Sequence, residues 1–419
     1  MFTRFKKIYR EFPPLFWVVV AVRFIDGIGG TLLFPFFALY ITQKFNVGMT
    51  QAGILLGISS LFGLVGSMVG GALTDKFGRK QLIIFGLIFS ALSTLGFGLV
   101  NDFSILYPLV IVVGLLSSIS HPAHEAMIAD ILPEKKRQEG FGILRVVGNL
   151  SWIIGPTIGG FLANINFFYL FVIDSIISCF VAVIIFRTIP ETKPAPHAHE
   201  KSESFLQTVG GYRFVLRDTA FVSFIIANII MLGVYQQMYG SLSVYLRDNH
   251  GINPQGYGFL MTTSAITVVL FQFWVSRLIK KRPPFLMMAF GTIFYMIGFF
   301  LFGIVTTFIL FALNIVIITI GEMIIMPTSQ ALVAGFAPAE MRGRYMAVAG
   351  LSWAIPSTVG PGAAGYILDN YNPNLLWYIG GVLCGVSMLA YYALHLRLGA
   401  RQEFAPAQEE AQPLAATSD

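Results

Sequence analysis

Long apolar runs, separated by short polar or glycine-rich breaks, dominate this chain. Runs of ~20 residues match the thickness of a bilayer crossed as α-helix. They predict twelve spans: Pro14–Tyr40, Thr50–Leu73, Gln81–Val100, Ser104–Leu132, Gly140–Ala163, Phe167–Thr188, Thr219–Leu246, Gln255–Ile279, Pro284–Val305, Thr307–Phe336, Arg342–Leu368 and Asn374–Leu396. Barrel strands alternate every second residue, so these continuous runs exclude a transmembrane β-barrel. The first run is too long for a cleavable signal peptide. The expected fold class is an all-α membrane protein with twelve transmembrane helices.

The two halves repeat. Adding 205 to Gly53, Pro122, Pro133, Arg137, Gly155, Pro156 and Gly160 gives Gly258, Pro327, Pro338, Arg342, Gly360, Pro361 and Gly365, the same residue each time and without a gap. A repeat this long is one half of a duplicated structure, which in an apolar chain predicts two pseudo-symmetric six-helix bundles. Residues 1–188 form the first bundle and 219–396 the second. Residues 189–218 form a polar linker, whose His197 and His199 are expected to bind no metal. Residues 397–419 read as a disordered tail, polar and rich in Ala and Pro.

Composition removes the soluble alternatives. Of 419 residues, 56% are hydrophobic and 11% charged, against roughly 25% charged in a soluble domain. Cys179 and Cys384 both sit in apolar runs and read as small core residues. The net charge of +6 resembles a nucleic-acid signal until its placement is read. Of the 27 Lys and Arg, only Lys44 and Arg247 fall on one side of the spans, and Arg23 and Arg145 lie inside them. All the others lie on the opposite side, which the positive-inside rule makes cytoplasmic, with both termini there.

Between spans 2 and 3 stands Gly71-Ala-Leu-Thr-Asp75-Lys76-Phe-Gly78-Arg79-Lys80. Gly71 would let helices approach closely. Asp75, at a helix end, would accept from a cation or a helix N-terminus of the other bundle. Gly78 would permit a tight turn, with Arg79 and Lys80 in water. Span 5 carries Gly142, Ser151, Gly155, Pro156, Gly159 and Gly160, a small-residue face for close packing with a proline bend.

Both cassettes resemble signatures of the major facilitator superfamily. The first matches that family's loop pattern G-x-x-x-D-R/K-x-G-R-R/K at every defined position. The second is similar to its antiporter signature, with Ser151 in place of one glycine. The arginine signature that many of its proton antiporters carry in span 4 is missing. The resemblance covers Arg23 to about Leu396 and is nearest the twelve-span drug:proton antiporters. It implies two bundles around one cavity, a loop that latches the halves in the outward-facing state, a proton gradient as energy source with no cofactor, and a bacterial inner (cell) membrane; a monomer is the default expectation. No phosphate-binding loop G-x-x-x-x-G-K-S/T is present.

Ionisable residues at membrane depth each cost at least ~2.5 kcal/mol on insertion scales and usually face a cavity or a partner. Span 1 has Arg23 and Asp26, span 4 has His121, His124 and Glu125, span 5 has Arg145, span 6 has Asp174 and span 10 has Glu322. Glu125 and Arg145 lie at about 12 and 8 Å from the basic end of their helices, so an ion pair or shared water is expected between them. Glu322 is the leading proton carrier, since a neutral acid crosses the bundle more easily than a charged one. Asp26 is a second proton or cation site. The segment Gly321-Glu322-Met-Ile-Ile-Met-Pro327-Thr-Ser-Gln330 looks like span 10 of proton-driven multidrug antiporters. Arg23, His121, His124, Asn149, Asn228, Tyr235, Gln236 and Tyr239 are expected to line a substrate cavity, where aromatic and amide groups suit an amphipathic ligand.

The order H-x-x-H-E at His121–Glu125 does not match the zinc-site order H-E-x-x-H, so neither a metal nor an enzyme is expected. The function expected is proton-coupled export of small amphipathic compounds by alternating access. A proton-coupled importer of a sugar or metabolite, or a lipid or glycolipid flippase on the same fold, stays open. Ile189-Pro190-Glu191-Thr192-Lys193 is similar to the segment after span 6 of sugar porters, whereas the antiporter-like span 5 points to export.

Overall fold

The computed structural model describes residues 9–193, 213–280, 282–338 and 341–399. Each expected span is mostly helical among the described residues. The twelve helices are α1 (Pro14–Phe45), α2 (Met49–Phe77), α3 (Arg79–Leu99), α4 (Phe103–Ile131), α5 (Glu134–Ile165), α6 (Phe168–Thr188), α7 (Thr219–Gly240), α8 (Pro254–Lys280), α9 (Pro284–Phe302), α10 (Phe308–Phe336), α11 (Arg342–Asn370) and α12 (Asn374–Leu398). Eleven are long and apolar enough to cross a membrane. The twelfth, α11, has 29 residues, but Gly, Ser and two internal prolines dilute its apolar character. It packs between α2 and α7. The tail beyond 399 and the linker histidines lie outside the described residues.

Three spans are interrupted, each for a local reason. Pro35 lacks an N–H, and a short 3-10 turn at Phe34–Phe36 splits α1. In α4 the ring of Pro122 collides with the carbonyl four residues back, so the break falls at Ile119–Ser120. The bend therefore precedes both His121 and His124. In α7 the Gln237 side-chain amide donates to Gly233 O at 2.9 Å, competing for a carbonyl of the helical ladder. The chain resumes as a short helix, Leu242–His250. At the other extreme, α5 starts at Glu134, ahead of the apolar run, because its first turns are polar helix formers lying outside the bilayer.

In the first half α1 packs on α5 and α6, α2 on α4, and α3 on α6. In the second, α7 packs on α11 and α12, α8 on α10, and α9 on α10 and α12. The halves meet along α2–α11 and α5–α8, and here the repeat becomes physical. A Cβ on Gly258 would lie 2.5 Å from Pro156 O, and one on Gly53 would strike Pro361 O. A Cβ on Gly160 would lie 2.8 Å from Pro254 O, and one on Gly365 would strike Met49 O. Shifting each residue by 205 into the other half turns the first contact of each pair into the second. These contacts all lie at the end of the bundle away from the basic loops.

At the basic end the halves part. Gly71, Gly142, Gly148, Gly343 and Gly350 have no atom within 4 Å of an added Cβ. The core divides accordingly. One buried cluster joins the far end of the first half to the second half, whereas Phe12, Phe16, Val22, Ile83, Met127 and Ile185 form a separate cluster in the basic end of the first half.

Candidate functional site

Between the halves lies a cavity of about 460 Å³. Its walls are helical stripes. On α5 the lining residues are Arg145, Asn149 and Trp152, at i, i+4 and i+7. Glu322 and Met326 come from α10, and Trp353, Ser357 and Pro361 from α11. Met261, Ser264, Ala265, Val268 and Gln272 come from α8, and Leu56 and Ser60 from α2. The two broken helices supply the roof: Phe34 from the α1 break, and Tyr235, Gln236 and Tyr239 from the α7 break.

Trp152 and Tyr239 meet across the two halves with ring centroids 5.0 Å apart in an edge contact. Phe34 packs on Trp152 at 6.4 Å, and Tyr235 on Trp353 at 6.4 Å. The Tyr235 and Tyr239 hydroxyls lie 3.0 Å apart. Gln236 is fixed by Ser357 Oγ, which donates to its Oε1 at 2.9 Å, and donates its own Nε2 proton to Trp353 O at 3.2 Å. Arg145 and Glu322 are the two charged residues of the lining, one from each half. The Glu322 carboxyl lies beside the Tyr235 hydroxyl. Arg145 Nη1 donates to Gln330 Oε1 at 2.7 Å, so a polar bond bridges α5 and α10 toward the basic end.

Of the residues expected in this region, Glu322, Arg145, Asn149, Tyr235, Gln236 and Tyr239 are brought together. Glu125, Asp26, Arg23, His121, His124 and Asn228 are not part of the lining. The Glu125–Arg145 ion pair is not formed. Glu125 is exposed, and Arg145 bonds Gln330. The reason is packing: α4 lies on α2 and α5 on α1 and α8, so these consecutive helices meet only near their connecting turn. Asn228 is 2% exposed and its Oδ1 accepts from Tyr391 Oη at 3.0 Å, which makes it a buried structural amide. Asp174, to which no role was assigned, is buried inside the first half and accepts from Thr94 Oγ1 at 3.1 Å.

The loop after α2 departs from expectation as well. Gly78 has φ +96°, and a Cβ there would meet the Glu191 carboxylate, so glycine is required twice over. Arg79 is 9% exposed instead of lying in water. Its Nε pairs with Asp130 Oδ2 at 3.0 Å, because the end of α4 supplies a partner that the linear sequence hides. Lys80 Nζ donates to Phe186 O at 2.8 Å. Lys76 is exposed, and the Asp75 side chain lies outside the described residues. Gly71 packs against nothing in this state.

Glu191 carries the loop's electrostatics. It accepts from the backbone N–H groups of Arg79 (2.8 Å), Lys80 (3.2 Å), Thr192 (3.0 Å) and Lys193 (3.0 Å), capping the N-terminus of α3. Burial alone would raise its carboxyl, but these four donors bring it below the usual carboxylate range.

The small-residue face of α5 serves two partners. Gly155 and Gly159 pack on Thr31, Leu32 and Phe36 of α1, while Pro156 and Gly160 pack on α8. Ser151 Oγ donates to Phe24 O at 3.1 Å. Gly142 faces open space and contributes no packing.

Sequence reasoning missed Trp152, Trp353, Phe34, Gln272 and Gln330. The signal for Trp152 was present in its spacing of three and seven from Asn149 and Arg145. Trp353 and Ser357 likewise share a face with Pro361.

Two six-helix halves around a cavity sealed at one end define an integral, multi-pass membrane transporter. The chain belongs to the Major Facilitator Superfamily, whose family profile matches residues 19–248 and 233–418. It is 27% identical over 359 residues to the Na(+), Li(+), K(+)/H(+) antiporter of Planococcus maritimus, covering 79% of this chain and 84% of the relative. It is 28% identical over 324 residues to Multidrug resistance protein 2 of Bacillus subtilis (strain 168), covering 74% and 80%. The crystal structure of a POT family transporter in complex with 5-aminolevulinic acid superposes with a TM-score of 0.79 at 16% identity, covering 92% of this chain and 96% of that one. That likeness is one of fold.

Proposed function

We propose that this protein exports small aromatic or amphipathic compounds in exchange for protons, by alternating access. The supporting observation is the pairing within one cavity of an aromatic roof with two charged residues, Glu322 and Arg145, contributed by opposite halves. By the positive-inside rule the basic end is cytoplasmic, so the cavity is open to the compartment from which an exporter loads. The names of two relatives, an alkali-cation/proton antiporter and a multidrug resistance protein, support the same reading.

Apolar rings stack on the roof residues Trp152, Tyr239 and Phe34, while Asn149, Gln236 and Ser357 offer hydrogen bonds. Glu322 carries the proton. When ionised it attracts Arg145 from the facing helix and accepts from Tyr235. When protonated it loosens its hold on Arg145, for which Gln330 Oε1, 2.7 Å from Nη1, is an alternative partner. A bundle carrying a neutral Glu322 also crosses between states without moving a bare charge through an apolar gap.

The test is flux in proteoliposomes driven by a pH gradient, with cationic, neutral and sugar compounds and with alkali cations. Glu322→Gln should insert normally and lose gradient-driven flux. Coupled flux equal to the parent's would end the assignment of Glu322. Transport of alkali cations alone would replace the organic substrate class.

A further inference from the structure

Two charged side chains cross the far-end seal. Arg247 reaches Thr42 Oγ1 at 3.1 Å but is already paired with Asp248 at 2.6 Å. Asp369, next to the last residue of α11, has a more specific arrangement. Its Oδ1 accepts the Met49 N–H at 2.9 Å, and its Oδ2 accepts the Thr50 N–H at 2.7 Å and the Thr50 hydroxyl at 2.6 Å. These are the first two residues of α2, which belongs to the other half. The N-cap of α2 is Gly48, which has no side chain to cap its own helix and whose missing Cβ leaves room for the carboxylate. An acid from one half thus satisfies free N–H groups and faces the positive helix end of the other.

The repeat shows that packing does not require this acid. The glycine and proline contacts of the seal occur on both seams, but the residue 205 positions before Asp369 is Asn164. On that seam the N-terminus of α8 is satisfied locally, with Asn253 Oδ1 accepting the Gly256 N–H at 2.9 Å. We propose that Asp369 is a latch that holds the far end closed and so stabilises the state open to the basic end. The helices α2 and α11 are antiparallel, so each ends where the other begins. Asp75, near the opposite end of α2, occupies the reciprocal position in sequence. The pair would then carry one acid for each state. Water replaces the carboxylate when the seam opens, so the latch biases the equilibrium without blocking it.

The test is a distance measurement on the full chain in lipid nanodiscs, with Cys179 and Cys384 replaced by Ala. Spin labels are placed at Gln43 and Asn249, exposed far-end residues of opposite halves. Asp369→Ala should enlarge the long-distance population by roughly 2- to 30-fold, the range for losing a capping side chain. Asp369→Asn, which keeps one acceptor but no charge, should shift it less, and Thr50→Val should shift it in the same direction. If Asp369→Ala does not insert, Asp369→Asn carries the test. A distribution identical to the parent's in the variant that inserts overturns the latch. Neither substrate nor proton gradient is needed, so this result stands apart from that for the export reading.

Discussion

Replacing Gly258 with Ala puts a methyl group 2.5 Å from Pro156 O and 3.2 Å from Gly160 Cα. Ordinary van der Waals contact begins at 3.4 Å, so α5 and α8 must part by most of an ångström. Both neighbours are backbone and cannot rotate away. Overpacking of this kind costs about 1–3 kcal/mol. It acts only on the state in which the seam is closed. The better helix propensity of Ala acts equally on both states and cancels. The state open at the far end should therefore gain roughly 5- to 150-fold in relative population.

The readout is a cysteine at Ser60, a cavity-lining position, in a background lacking Cys179 and Cys384. A membrane-impermeant maleimide applied at the far face should label Gly258→Ala faster by that factor. Gly53→Ala should act in the same direction, since its methyl would strike Pro361 O, and the pair should add nearly independently because the seams share no partner. Gly96→Ala on α3, away from both seams and with nothing within 4 Å, is the control. If Gly258→Ala labels no faster than Gly96→Ala, the glycine seams do not set the closed state.

Two further outcomes follow from the site. Trp152→Ala removes an aromatic contact worth about 0.5–1.5 kcal/mol, so equilibrium binding of flat aromatic compounds should weaken roughly 2- to 12-fold, and unchanged affinity would remove Trp152 from the substrate surface. Glu191→Gln should lower stability by about 1 kcal/mol, the scale for an exposed cap. Because the folded carboxyl lies below its usual range, the benefit is complete above the ordinary carboxylate value of about 4.3 and fades as pH falls through the lower folded value. Thermal unfolding in detergent should separate parent and variant at pH 7 and bring them together once the pH falls below the lowered folded value. A constant gap would refute the capping role.

Much of the fold is present in the order of residues, because a bilayer imposes a coarse rule: every crossing must be apolar and about 20 residues long. That rule locates all twelve spans, although α11 falls short of the hydropathy that the other eleven helices reach. The repeat gives independent support for α11, whose Gly360, Pro361 and Gly365 match positions on α5. The same rule misplaces the start of α5, since hydropathy marks where the membrane begins and not where the helix does.

The cavity was only half legible. Depth along a helix can be counted from sequence, and it identifies Glu322 and Arg145. The direction in which a side chain points depends on which neighbours its helix packs against. Asn228 shares α7 with Tyr235 but turns into Tyr391, and Glu125 lies on a helix that never runs beside α5. Arg79 reads as a hydrated charge until the end of α4 delivers Asp130. The sequence by itself determined the duplicated halves, the basic end and the small residues able to close a seam. It could not say which end is closed, because a two-half repeat supports both states alike. Backbone contacts at Gly53, Gly160, Gly258 and Gly365, with no counterpart at the basic end among the described residues, made that choice.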